Sequence, residues 1–294
     1  MAGRCKMNTR AGIFFPDMTV ECSIEETTAA GSAEYQRSIY QGAFYRRFRR
    51  LRWLFRYDCR YRLLVMEELF QRHGIPFERV KVFELGFGTG DLLLRFDTTC
   101  TVHGCELSED AIEIVRKEAK ALCHGDVKLV RSANDGGAVF PSTGYDIVIA
   151  SHVLEHVPDD AGVLTQLAEH TREDGWGLFF VPLERPHRRH RHHARTYSRA
   201  GFCRLCESCG WSVIEAESNM RFDSFSENFL SLLEQHLPAL APVMEGVRNA
   251  SFSLLSPGLL RASEMLFERI HKRPRQLAVL ATRRQKAEDG CPHQ

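Results

Sequence analysis

Apolar and polar positions along this chain alternate between two rhythms. Short apolar-rich runs of strand length recur at residues 81–85, 101–106, 127–131, 145–151, 175–182, 211–216 and 276–282, some nearly unbroken (145–151, 175–182) and others interrupted by polar residues (101–106, 127–131, 211–216). Between several of them apolar residues return at helical spacing, as in Leu92, Leu93, Leu94 and Phe96, in 108–115 and in 198–210. Continuous apolar runs suit strands covered on both faces, and strands alternating with helical stretches predict a mainly parallel sheet between helical layers. The fold class is therefore α/β.

The same pattern divides the chain. Residues 1–33, a Gly/Thr/Ala/Ser mixture with no sustained period, are expected to be disordered, as is the tail 285–294. Residues 34–76 predict a helical cap, with a helix over 35–70. Residues 77–218 form the core, completed by the last strand within 273–284. The intervening 219–272 is an insertion whose apolar residues (Phe225, Phe229, Leu232, Leu233, Leu237) sit at helical spacing, broken by Pro238, Pro242 and Pro257. It predicts two or three helices forming a lid or a dimer contact.

The first strand ends in the segment Glu84-Leu85-Gly86-Phe87-Gly88-Thr89-Gly90-Asp91. Alternate glycines let a backbone turn sharply and approach a ligand with no Cβ in the way. A strand–turn–helix context puts that approach at the carboxyl edge of the sheet, where open α/β folds bind ligands. A dinucleotide loop would carry a third small residue at position 91, where this chain has Asp91, whose carboxylate would repel a pyrophosphate. A phosphate-binding P-loop would need a lysine that is absent here.

The acid-x-Gly-x-Gly-x-Gly pattern instead resembles the first motif of the class I S-adenosylmethionine-dependent methyltransferases. That cofactor carries a sulfonium and an amino-acid group, so a nearby carboxylate (Glu84, with Asp91) attracts it. Further segments resemble the family in the same order. Glu106 ends the second strand about 20 residues past the loop, where an acid hydrogen-bonds ribose hydroxyls, with Leu107 beside it. Ser108 fits a helix N-cap. Asn134 or Asp135 follows the third strand, where the family contacts adenine, although a turn cluster explains them equally. Ser151-His152-Val153-Leu154-Glu155-His156-Val157 is similar to a signature of enzymes acting on small molecules, quinones and sugars. His152 and Leu154 would line the cofactor, while Glu155 and His156 also fit a helix start. The Asn/Asp-Pro-Pro-aromatic stretch of enzymes methylating planar amide or base nitrogens is absent.

The resemblance covers roughly residues 60–216 plus the last strand. It implies a Rossmann-like, seven-stranded, mostly parallel sheet with the last strand antiparallel and helices on both faces. It assigns Glu84, Gly86, Phe87, Gly88, Gly90, Glu106, Leu107, Asn134, Asp135, Ser151, His152 and Leu154 to S-adenosyl-L-methionine. It does not select the acceptor.

Two unusual regions bear on the acceptor. Eight arginines lie between Arg46 and Arg62 with a single acid, Asp58, and Phe48, Trp53, Leu54, Phe55, Tyr57 and Tyr61 interleaved. They read either as a helix burying an aromatic face under arginine stems or as a dock for an anionic substrate or membrane surface. After the fifth strand comes Pro186-His187-Arg188-Arg189-His190-Arg191-His192-His193-Ala194-Arg195-Thr196-Tyr197-Ser198. Its end is similar to a family segment that caps the next helix, and His187, His190 and His193 are candidate general bases.

Composition adds limits. A net charge of +1 over 294 residues gives no global basic field, so DNA binding is not expected. No run approaches 18 apolar residues and the N-terminus lacks a signal-peptide core, which predicts a cytoplasmic, soluble protein, monomeric or homodimeric. Of ten cysteines, Cys203, Cys206 and Cys209 have a spacing that suits a metal but equally one side of a helix; no metal is expected. The sequence thus predicts a methyltransferase acting on a small-molecule, glycan-type or lipid-linked hydroxyl. A tRNA or protein methyltransferase docking through the arginine helix, or a non-catalytic cofactor-binding module, are the alternatives.

Overall fold

A computed structural model describes residues 57–132, 137–183, 195–237, 254–271 and 273–284, with 240, 243–244 and 247 between them. The disorder expected at both ends and the first part of the cap helix lie outside these residues. In chain order the elements are α1 (Tyr57–His73), β1 (Lys81–Leu85), β2 (Thr101–Glu106), α2 (Glu109–Ala121), β3 (Asp126–Arg131), β4 (Tyr145–Ser151), α3 (Asp160–His170), β5 (Thr171–Pro182), α4 (Arg199–Ser208), β6 (Trp211–Asn219), α5 (Arg221–His236), α6 (Pro257–Ile270) and β7 (Gln276–Arg283).

All seven apolar runs are strands of one sheet in the order β3-β2-β1-β4-β5-β7-β6. The first five strands pair in parallel, and β7 runs antiparallel between β5 and β6. Alternation within each strand feeds two cores. Val82, Val102, Ile147, Ile149, Leu178 and Leu280 face one side with Met66, Leu69 and Phe70 of α1 and Ile112 and Val115 of α2. Phe83, Val148, Ala150, Phe179 and Val279 face the other with Leu164 and Leu167 of α3 and Phe202 of α4.

Helix starts follow local chemistry. Ser108, Asp159 and Ser198 accept backbone N–H bonds from Ala111, Gly162 and Gly201 at the N-termini of α2, α3 and α4. The apolar stretch after the glycine loop behaves differently: it makes only a 3₁₀ turn, Leu93–Arg95, and the chain is extended again at Phe96. An Asp97 turn, in which Oδ1 accepts from the Thr99 N–H at 2.8 Å, closes the segment before a second helical turn can form. A second 3₁₀ turn, Leu154–His156, follows β4, and the helix proper waits until Asp160.

The chain leaves β1 toward β2 and β3, then returns to β4 on the other side of β1. The carboxyl ends of β1 and β4 therefore flank the crevice where the sheet order reverses, the general ligand position of such sheets.

Candidate active site

The glycine loop lines one side of that crevice. Gly86, Gly88 and Gly90 have φ of +65°, +52° and +70°, so all three occupy the left-handed region. At Gly86 a Cβ would lie 2.1 Å from a methyl of Val153, which ties the loop to the segment after β4. Phe87 turns its ring into the core, against the bare Cα of Gly104 on β2.

Acidic side chains converge around this loop. Glu84 is fully buried at the end of β1, and its Oε2 has no hydrogen-bond partner among the described residues. Burial pushes its carboxyl well above the usual range; Asp91 and Glu106 push the same way and Arg62 opposes them. Glu106, at the end of β2, accepts from the Gly88 N–H at 2.8 Å through Oε2, and from the Leu107 and Ser108 N–H groups at 2.8 and 3.1 Å through Oε1. Burial raises its pKa as well, against the pull of those three donors. Asp91 accepts from the Thr89 hydroxyl.

One cation reaches this acidic crevice from the cap. Arg62 on α1 donates to Ser151 Oγ at 2.8 Å across 89 residues of sequence, and its other end is held by Asp58 at 3.1 Å. Ser151 is the last residue of β4, and His152 follows with φ +56°, a conformation that costs a histidine about 1–3 kcal/mol. Its ring is locked by Glu155 Oε1 at Nδ1 (3.1 Å) and by Gln276 Oε1 at Nε2 (2.8 Å). Gln276, the buried first residue of β7, donates in turn to Asn219 Oδ1 at 3.0 Å. Burial would raise the Glu155 carboxyl, but the His152 hydrogen bond and the His152 and His156 charges bring it below the usual value. Leu154 is fully buried in the core beneath this edge.

Glu84, the loop glycines, Glu106, Ser151 and His152 thus come from separate segments to one edge. Asn134, Asp135, His187, His190 and His193 lie outside the described residues. Arg195 and Tyr197, beyond the histidine loop, both bond Asp160 at the start of α3, so this end of the segment is an anchor. Cys203 is half-buried and Cys206 and Cys209 are buried on α4, and no metal-ligand cluster occurs among the described residues. Arg62 and Gln276 were not singled out by the sequence. Arg62 is one of eight arginines, and Gln276 meets its partner 124 residues away.

The donor set can be tested against a cofactor. A pyrophosphate would meet Glu84, Asp91 and Glu106 with like charge. A ligand bearing an ammonium and a carboxylate would complement the unpartnered Glu84 oxygen and Arg62, so the residues fit S-adenosylmethionine.

Comparison with known proteins agrees with this geometry. A family model described as a methyltransferase domain matches residues 83–176. A ubiquinone biosynthesis O-methyltransferase of Thiobacillus denitrificans is 36% identical over 115 residues, 37% of this chain and 47% of that protein. The chain therefore aligns with under half the length of this curated relative. Among solved structures, the [4+2]-cyclase SpnF superimposes with a TM-score of 0.51 at 14% identity, over 76% of this chain and 80% of that one. Coclaurine N-methyltransferase, bound to N-methylheliamine and SAH, gives 0.50 at 17% identity, over 74% and 72%. At such identities the structural neighbours establish the fold alone.

Proposed function

The chain belongs with the class I S-adenosylmethionine-dependent methyltransferases, and from that premise we propose that it methylates a hydroxyl of a small-molecule, glycan-type or lipid-linked acceptor. The observation carrying the cofactor assignment is the buried, unpartnered Glu84 oxygen beside a glycine loop ringed by carboxylates. Support for a hydroxyl comes from the O-methyltransferase relative and from the absence of the amide- and base-methylating motif after β4.

The cofactor supplies a methyl group already activated on a sulfonium. The residues of this chain bind and align. The loop from Gly86 to Gly90 lets the backbone approach closely, Glu84 receives the amino group, and Arg62 receives the carboxylate. Glu106 is held facing the loop by three N–H groups and offers its remaining lone pairs to the ribose. His152, immobilised by Glu155 and Gln276, fixes the edge of β4 next to the reacting centre. The acceptor hydroxyl loses its proton during transfer, and a base there contributes about 10² to 10⁴-fold. His187, His190 and His193 are the proposed bases.

Gly88→Val places a β-branched residue at φ +52° and removes the close approach. Titration calorimetry is expected to show no S-adenosylmethionine binding by this variant; unchanged affinity defeats the assignment. Radiolabelled-methyl transfer into fractionated extracts, with mass spectrometry of the product, tests the acceptor. An ether product supports the hydroxyl, and a labelled amine, tRNA or protein replaces it.

A further inference from the structure

A chain of hydrogen bonds runs from α6 to the edge of β4, and its links have fixed directions. Arg261 on α6 begins it, because a guanidinium only donates. Its Nη1 and Nη2 donate to Glu217 Oε1 and Oε2 on β6 at 2.7 and 3.3 Å. Asn219, the last residue of β6, turns its amide nitrogen toward the same Glu217 Oε1, at 3.5 Å. Asn219 Oδ1 then faces Gln276, which presents its own amide nitrogen at 3.0 Å. Gln276 Oε1 is thereby the atom facing His152 Nε2, at 2.8 Å. Such a network decides amide orientations, and turning either amide over would set oxygen against oxygen. Asn219 and Gln276 are completely buried, so solvent does not compete for these bonds.

His152 thus meets an acceptor at each ring nitrogen. Nε2 faces the Gln276 side-chain oxygen, and Nδ1 faces Glu155 Oε1 at 3.1 Å. Burial disfavours the Glu155 charge, but the bond to His152 and the His152 and His156 charges outweigh it and hold the carboxyl below its usual range. A neutral imidazole has one N–H and one lone pair, and the lone pair would confront one of these two oxygens. Only a ring with two N–H groups satisfies both. The buried Glu155 balances its charge, while 30% of the His152 side chain stays open.

We infer that His152 is a positioning residue held as an imidazolium, clamped at both nitrogens, and that it takes no proton from the acceptor. With both N–H groups engaged, the ring has no lone pair with which to act as a base. The clamp holds the φ +56° turn that ends β4, where the His152 backbone N–H donates to the Phe180 carbonyl at 2.9 Å. Because Arg261 fixes the first link, the insertion orients a side chain at the crevice edge. The inference rests on the proposed function only for placing His152 beside the reacting centre.

Nitrogen-15 NMR of the cofactor-free full chain, labelled at histidine, reads the ring directly, and His152→Asn identifies its signals by their loss. Both ring nitrogens are expected to give the protonated signature at neutral pH. A lone-pair signature at either nitrogen overturns the inference; at Nδ1 it would mean that Glu155 holds the proton. Gln276→Met removes the acceptor at Nε2, and the Nε2 proton should then exchange at least about tenfold faster. Gln276→Glu keeps an acceptor there and should return exchange close to the parental rate. The His152 backbone N–H should follow the same order; unchanged backbone exchange would show that the ring positions nothing. The parental spectrum decides the charge state even where a variant fails to fold. Calorimetry of the parent with S-adenosylmethionine is a separate reading: absent binding defeats the proposed function alone, since the ring is observed without cofactor.

Discussion

Glu84 sits where its charge is disfavoured until a ligand arrives. Folding raises its pKa, so the folded state keeps a proton that the unfolded state releases. The cost is absent below the ordinary glutamate range, about 4.3. It grows as pH rises through that range and is complete above the raised folded value. A cationic ligand reverses the preference by pairing with the ionised form. Glu84→Gln is therefore expected to raise the thermal midpoint of the ligand-free protein at neutral pH, by roughly 2–4 °C. The same change should weaken S-adenosylmethionine about tenfold to a hundredfold and flatten the rise of affinity with pH. Scanning calorimetry with and without cofactor reads both effects. A lower midpoint with unchanged affinity would make Glu84 a structural residue only. At this scale the sequence exposed what is local. Glu84 and Glu106 stand beside a recognisable loop and strand end, whereas the Arg62–Ser151 bond joins residues 89 apart and no local pattern distinguishes this arginine from its seven neighbours.

Elements were legible where burial alone decides them. Central strands covered on both faces must be apolar throughout, and each such run proved to be a strand. The segment after the glycine loop misled because Leu92, Leu93, Leu94 and Phe96 fit a helix, while the Asp97 turn limits it to one 3₁₀ turn. Periodicity predicted helices in the insertion but not which side of α6 turns inward. That is set by Arg261, which bonds Glu68 and Tyr61 on α1 and Glu217 on β6. Desolvation would lower the Arg261 pKa, but its bonds to the two carboxylates hold it above the usual value. Arg261→Ala leaves those carboxylates facing a void. The expected cost is about 2–3 kcal/mol, under the value for a fully buried pair, because 21% of the arginine side chain is exposed. Hydrogen exchange should speed up along α6 while β5 and β7 stay protected. Uniformly faster exchange across the sheet would show that this cluster supports the whole fold rather than α6 alone.

For the whole molecule the decisive element is the last strand. The chain places β7 between β5 and β6, so the final described residues hold together strands that precede them by long stretches of sequence. Leu277 to Ala281 are completely buried, and Gln276 carries the hydrogen bond that fixes His152 at the end of β4. Sheet completion and site geometry are thus one structural event: without β7, β5 and β6 expose unpaired edges and the His152 ring loses its Nε2 partner. Removing residues 274–294 is expected to abolish cooperative thermal unfolding and S-adenosylmethionine binding together, whereas removing 285–294 should leave both at parental values. The control separates loss of the strand from mere shortening. A chain ending at residue 273 that still melts cooperatively and binds the cofactor would show that the parallel strands β1 to β5 fold and form the crevice on their own.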